Sequence, residues 1–377
     1  MITGEERGGR RVLVWLVRTV GIVWLLGVLV VALGTYAPRL PVIGFLGSFV
    51  TGQYPLHAAL AALLGVGLGV GTWLLGGRDG VVTAAVALAG TVALTAVLAS
   101  QTSGSSVDWW AALTVVGQPD GHPDRTEQYA LDELGRPLHL DLYRPAGPGP
   151  HPVVVWVHGG SWVRGERDDR TALNRWLADR GYAVVAVEYR LPPPAPVGEG
   201  QRRDVAAAAA WAAAHAAEED LDPGRIVLAG QSAGATLALS TTSAILAGDL
   251  PAPRPRAVVA YYPVTDLRAV DRSLQDAVLG GPAAQQRLET AAASPADLIR
   301  PDLPPTLLVL GSADHFVFPE RVHAYDRDLR AAGVPGRLVE VPHADHVFDH
   351  PFGSPGAQVT RPQVAAFLAE HVAARTP

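Results

Sequence analysis

Residues 226–235 read Ile-Val-Leu-Ala-Gly-Gln-Ser-Ala-Gly-Ala, and this stretch decides the fold. Four apolar residues, 226–229, have the continuous hydrophobic signature of a strand covered on both faces. They run straight into Gly230-Gln231-Ser232-Ala233-Gly234, and an alanine- and leucine-rich helical pattern follows over 233–247. The pentapeptide is G-x-S-x-G in a strand–turn–helix context. Its glycines permit a turn too sharp for side chains to pass one another, and the turn lifts the Ser232 hydroxyl above the sheet. A glycine-rich turn with a capping serine is the plainer alternative, and the flanking strand and helix weigh against it.

Outward from this point the chain alternates between strand and helix. Apolar strand patterns fall at 153–157, 183–188, 306–310 and 338–341, with a hairpin formed by 127–131 and 137–143 around residues 132–136. Helical patterns fall at 171–180, 202–217, 320–332 and 362–374. Such alternation predicts an α/β fold with a mainly parallel sheet flanked by helices. Residues 262–305 show no clear strand and leave room for a small cap. Chemistry in such a sheet belongs at the carboxyl ends of the strands.

A serine needs a base and an oxyanion site. The strand at 153–157 leads into His158-Gly159-Gly160-Ser161-Trp162. The paired glycines can turn backbone N–H groups toward a developing oxyanion, so Gly159, Gly160 and Ser161 are candidates, with the N–H of Ala233 completing the hole. His158 is expected to hold that loop. The strand at 306–310 ends in Gly311-Ser312-Ala313-Asp314, and the last strand leads to His343-Ala344-Asp345-His346-Val347-Phe348. The order serine, acid, histidine is the one this architecture uses. Ser232, Asp314 and His346 are the candidate nucleophile, acid and base, with His343 and His350 as competitors for the base.

These pieces together resemble the α/β-hydrolase superfamily, and most of all its esterases and lipases related to hormone-sensitive lipase and the bacterial acetyl- and feruloyl-esterase-like group. The resemblance rests on HGGSW at 158–162, EYRL at 188–191, RDVAAAAAW at 203–211, GQSAGA at 230–235, GSADHFV at 311–317 and HADHVFD at 343–349. It implies the α/β-hydrolase fold and the Ser232–Asp314–His346 triad. It favours His346 over His343, because the family histidine is followed after one residue by Phe, here Phe348. Ser161 stands where lipase-type members often carry a third glycine, and Ala235 replaces a glycine often found after the elbow. Asp204 matches a recurring family aspartate and is expected to be structural. The resemblance implies hydrolysis of carboxylic esters through an acyl-enzyme without metal or organic cofactor. A peptidase or a lipase on the same fold is the alternative, and a catalytically idle domain used for binding is the alternative of another class.

The first 105 residues carry a different pattern. They hold six Arg (7, 10, 11, 18, 39, 78) and three acids (Glu5, Glu6, Asp79), leaving 24 of the 30 basic and 33 of the 36 acidic residues to the rest. Apolar runs at 19–36, 56–75 and 81–98 contain no Arg, Asp or Glu. Each approaches the roughly 20 residues that cross a hydrocarbon core. Three transmembrane helices are therefore expected, the first a signal anchor rather than a cleaved signal peptide. Residues 40–50 are too short to span and read as interfacial or re-entrant. Gly65/Gly69 and Gly67/Gly71 are small-xxx-small pairs that suit close helix packing. The arginines preceding the first span put the N-terminus in the cytoplasm and, after three crossings, the catalytic part outside the cytoplasmic membrane. The expected organisation is a membrane region over 1–105, a linker over 106–123 that continues the polar run at 101–106, and a catalytic domain over 124–377.

The chain contains neither Lys nor Cys. This excludes Schiff-base lysines, Ser–Lys dyads, P-loop lysines, disulfides and thiolate metal sites. The acidic balance after residue 105 argues against nucleic acid as a partner. The expected partners are the lipid bilayer and an ester substrate: a small molecule, or an ester of a polysaccharide or lipid. An insertion at 262–305 rich in Arg and Asp disfavours a long apolar groove, so short acyl groups are expected. The sequence does not indicate an oligomeric state.

Overall fold

A computed structural model describes residues 4–115, 121–191, 199–267 and 294–372, without the side chains of residues 4–8, 10 and 11. The chain forms two compact units. One comprises Met1–Gly117 with Gly311–His315 and Val341–Val359, and the other comprises Gln118–Leu310, Phe316–Glu340 and Thr360–Pro377.

The first unit is built on helices α1 (Gly4–Tyr36), α2 (Ile43–Gln53), α3 (Pro55–Leu74), α4 (Gly80–Thr102) and α5 (Trp109–Thr114). Within them Val12–Tyr36, Pro55–Leu74 and Gly80–Thr102 are long and apolar enough to cross a membrane. Their packing is inverted relative to a water-soluble core. Ala58, Ala62, Gly65, Gly69 and Ala87 are buried, while Trp15, Val23, Leu63, Trp73, Val82 and Val92 are each more than half exposed. This pattern is compatible with a lipid surround, in which large apolar residues face outward and small residues let backbones approach inside. The two glycine pairs divide accordingly. A Cβ on Gly69 would lie 2.4 Å from the Ala84 backbone nitrogen, and one on Gly65 would lie 3.1 Å from the Ala87 methyl, whereas Gly67 and Gly71 face open space. Helix α2 has 11 residues, about 16 Å at 1.5 Å per residue, too short to span a bilayer. Helix α5 falls inside the stretch expected to be a linker. Asp108 caps it, its carboxylate accepting from the N–H groups of Trp110 and Ala111.

The second unit is organised around an eight-stranded sheet. Its strands are β1 (Arg125–Leu131), β2 (Pro137–Tyr143), β3 (His151–Val157), β4 (Ala183–Val187), β5 (Leu221–Gln231), β6 (Ala257–Tyr261), β7 (Thr306–Gly311) and β8 (Gly336–Val341), in the order β1-β2-β4-β3-β5-β6-β7-β8. β1–β2 and β2–β4 are antiparallel, and the pairs from β4 through β3, β5 and β6 to β7 are parallel. The helices are α6 (Thr171–Ala178), α7 (Glu199–Ala214), α8 (Ala233–Ala247), α9 (Pro319–Ala331) and α10 (Pro355–His371). This is the α/β-hydrolase fold. Val153, Val155, Val185, Ile226, Leu228, Leu308 and Leu310 form its core with α7 and α8 residues such as Ala208, Ala212 and Leu237. Parallel strands covered on both faces explain the unbroken apolar runs.

Strand β6 has no counterpart in the sequence expectations; five residues, Ala-Val-Val-Ala-Tyr, follow a proline-rich loop. Helix α10 begins at Pro355, seven residues ahead of the expected start, and carries Pro362 inside it. Of the anticipated insertion at 262–305, residues 268–293 lie outside the described residues, as do the proline-rich residues 192–198.

Candidate active site

Register sets the place of the candidate nucleophile. In the β3–β5 ladder Val157 pairs with Gly230, so the two strands finish side by side. The 158–162 loop leaves one and the 230–234 turn leaves the other. Ser232 adopts φ 53° and ψ −121° at the N-cap of α8, a sparsely populated conformation for a residue with a side chain. Neighbouring β6 helps to hold it. Gln231 pairs with Tyr261, and the Ser232 N–H donates to the Tyr261 carbonyl at 2.9 Å. Gly234 is obligatory for another reason: a Cβ there would fall 2.2 Å from the Val157 oxygen and 2.3 Å from the His158 oxygen.

Gly159 abuts the serine, since a Cβ on it would lie 3.4 Å from the Ser232 Cβ. Gly160, Ser161 and Trp162 follow with φ of 106°, 55° and 63°. Ala233 is the first residue of α8, where backbone N–H groups have no intrahelical acceptor. His158 is buried, stacks on Tyr189 at 4.2 Å and places its Nδ1 2.7 Å from the Gly159 oxygen. Burial lowers its pKa below the ordinary histidine value, with the Gly159 carbonyl opposing. A neutral ring locked against the loop is a structural role. Asp204 is buried too, and receives Arg190 Nε at 2.8 Å, Nη2 at 2.6 Å and the Arg190 backbone N–H at 2.9 Å.

The candidate acid and base belong to the first unit. The loops after β7 and β8 are tied together by Ser312 N–H to the Val341 oxygen at 3.0 Å, Ala313 N–H to the Ala344 oxygen at 2.9 Å and His343 N–H to Ser312 Oγ at 2.8 Å. Asp314 Oδ2 then meets His346 Nδ1 at 2.7 Å, with both side chains buried. An imidazole that donates through Nδ1 leaves Nε2 as its acceptor. Burial disfavours the imidazolium of His346. The charge and hydrogen bond of Asp314, with Asp345 and Asp349 adding, outweigh that and raise the pKa above the ordinary value. His343 has its ring 5.3 Å from that of Tyr36, and the His350 N–H donates to the Val347 oxygen. Asp345 is the residue sequence reasoning passed over. It is 1% exposed and accepts the His346 N–H at 2.6 Å. An aspartate between two histidines gives no local sign of burial.

Comparisons with known proteins agree on the kind of fold. The BD-FAE family profile matches residues 140–329, half of the chain. Carboxylic ester hydrolase LipN of Mycobacterium tuberculosis is 39% identical over 164 residues, covering 41% of this chain and 42% of that protein. Carboxylesterase NlhH of the same organism is 33% identical over 214 residues, covering 52% of this chain and 66% of NlhH. The chain thus spans less than two thirds of either relative. The butyrate-bound structure of Thermogutta terrifontis esterase 2 superposes with a TM-score of 0.57 at 26% identity, over 68% of this chain and 98% of that one.

Proposed function

The chain belongs to the BD-FAE family, and from that premise we propose that it is a membrane-tethered serine esterase acting through Ser232, His346 and Asp314. The observation that carries this reading is the elbow: a serine at φ 53° between β5 and α8, a backbone cost of about 1–3 kcal/mol that a merely capping serine has no reason to bear. The buried Asp314–His346 pair supports it, as do the carboxylesterase relatives.

In this mechanism Ser232 Oγ attacks the ester carbonyl carbon while His346 Nε2 takes its proton. Asp314 holds the tautomer and stabilises the imidazolium that forms. The C=O π bond becomes the oxyanion, received by backbone N–H groups of Ala233 and of Gly159, Gly160 and Ser161. Collapse breaks the ester C–O bond, His346 returns the proton to the departing alcohol, and an acyl-enzyme remains. Water, deprotonated by the same histidine, repeats the sequence and releases the acid.

The three apolar helices would tether the protein to the cytoplasmic membrane. Arg18 pairs with Asp79 at 2.7 Å, bringing the start of the first span and the α3–α4 loop to one end of the bundle. That fits an N-terminus and second loop on the cytoplasmic side, with the catalytic residues outside. Short acyl chains are the favoured substrates, in keeping with the charged residues Asp297, Arg300 and Asp302 and with the butyrate bound by the T. terrifontis enzyme.

Labelling with a fluorophosphonate probe tests the assignment. The full-length protein should label and hydrolyse 4-nitrophenyl acetate, and Ser232→Ala should do neither while keeping its far-UV circular dichroism. Labelling that persists in Ser232→Ala overturns it.

A further inference from the structure

The carboxylate of Asp345 is the hub of the first unit. Its Oδ1 accepts the N–H of His346 at 2.6 Å and the N–H of His315 at 3.0 Å. Its Oδ2 accepts the hydroxyl of Ser48 at 2.6 Å and faces His315 Nδ1 at 2.6 Å. His315 directly follows Asp314. One buried carboxylate therefore joins the loop bearing the candidate acid, the loop bearing the candidate base, and helix α2, which belongs to the apolar N-terminal region.

Three further ties run the same way. His315 Nε2 lies 2.6 Å from the Pro38 carbonyl in the α1–α2 connection. Both of its ring nitrogens then face acceptors, which only the doubly protonated ring satisfies fully. The Asp345 hydrogen bond raises its pKa against the effect of burial. Gln101 of α4 donates through Nε2 to the Pro342 carbonyl, at the mouth of the base loop, at 2.9 Å, and to the Thr51 carbonyl of α2 at 3.0 Å. A Cβ on Gly52 would come 3.0 Å from the Asp345 nitrogen and 3.3 Å from the Ala344 Cα, so the backbone of α2 rests on the base loop.

Ser48 and Gln101 are buried polar side chains in apolar helices, and in such settings polar groups are costly and tend to mark function. Anchoring requires neither of them. We propose that α2 and α4 form a positioning frame, in which Ser48 and Gln101 act through Asp345 and the Pro342 carbonyl to hold His346 and Asp314 in their working geometry. The N-terminal region is then part of the hydrolytic apparatus as well as its tether. This rests on the reading of Asp314 and His346 as acid and base. Its physical basis is that both residues sit on loops, which are mobile by default, while a misplacement of about 1 Å can cost about a hundredfold in rate.

The test uses the full-length protein in detergent micelles, with competent sites counted by fluorophosphonate labelling taken to completion. Ser48→Ala removes one hydrogen bond to a carboxylate and should lower kcat per labelled site about tenfold, with KM within about twofold. Gln101→Met should act likewise, and Leu88→Ala, on an exposed face of α4, should leave kcat unchanged. Asp345→Asn adds a readout that a merely structural residue would not move. Its charge favours the imidazolium of His346, so the limb along which kcat/KM rises with pH should shift to lower pH. Wild-type kcat per site in Ser48→Ala and Gln101→Met overturns the frame, and an unmoved limb in Asp345→Asn removes Asp345 from it. A fall confined to the fraction of labelled sites also overturns the frame. Activity surviving in Ser232→Ala or His346→Ala overturns instead the active-site reading on which the frame rests.

Discussion

Asp314→Asn is the most informative single substitution. It keeps the volume of the side chain and removes only the charge facing His346 Nδ1 at 2.7 Å. Both partners are buried, with side-chain exposures of 10% for His346 and 0% for Asp314, so solvent screens the pair little. Breaking a buried pair by neutralising one partner costs about 3–5 kcal/mol. At about 1.4 kcal/mol per decade, that corresponds to a loss of roughly 10² to 10⁴ in kcat at neutral pH. The reaction experiences most of it, because the imidazolium exists only once Ser232 has given up its proton. The pH profile should change as well. Asp314 raises the pKa of His346 over the opposing effect of burial, and the base works only when neutral. Wild-type kcat/KM should therefore climb with pH through a value above the ordinary histidine pKa. In Asp314→Asn the limb should move to lower pH even as the plateau falls. Stopped-flow hydrolysis of 4-nitrophenyl acetate across pH 5–9 measures both, with chemical denaturation as a check on folding. Activity within about tenfold of wild type, combined with an inactive His346→Ala, would refute Asp314 as the orienting acid and shift attention to Asp349. An inactive His343→Ala beside an active His346→Ala would refute the base.

Other outcomes follow from the same geometry. Along the 4-nitrophenyl ester series kcat/KM should peak between acetyl and butyryl, because a long groove would instead reward each buried methylene by about 0.8 kcal/mol; a long-chain optimum would indicate a membrane lipid as substrate. An alkaline phosphatase reporter fused after Pro377 should be active and one inserted within residues 76–80 silent, and the reverse pattern would invert the topology. Asp204→Ala strips Arg190 of its bidentate partner in a buried site and should lower stability by about 3–5 kcal/mol, read as a drop in the denaturation midpoint. A midpoint unchanged in Asp204→Ala would mean that Asp204 has a role outside stability.

What the sequence by itself determined is local. Continuous apolar runs at 153–157, 183–187 and 226–229 are what strands covered on both faces require, and the alternation with helices specified a parallel-rich sheet. The charge-free runs before residue 100 announced three long apolar helices by length alone. Gly230-Gln231-Ser232-Ala233-Gly234 marked a sharp turn, because steric limits on backbone angles act within five residues. Strand β6 escaped because its meaning comes from its neighbours: Ala257–Tyr261 is a short apolar run until Gln231 pairs with Tyr261 and the Ser232 N–H finds the Tyr261 carbonyl. Residues 40–50 read as a fragment too short to span, interfacial or re-entrant, and nothing in the sequence revealed that α2 would meet the Asp345 carboxylate. Family resemblance already favoured His346 over His343, and the tertiary structure supplied the contacts, His346 against Asp314 and His343 beside Tyr36. Tertiary structure alone buried Asp345 and gave it Ser48, 297 residues away in the chain. Periodicity and turn chemistry reach across a few residues, whereas a carboxylate shared by an N-terminal helix and two loops exists only after distant segments have packed together.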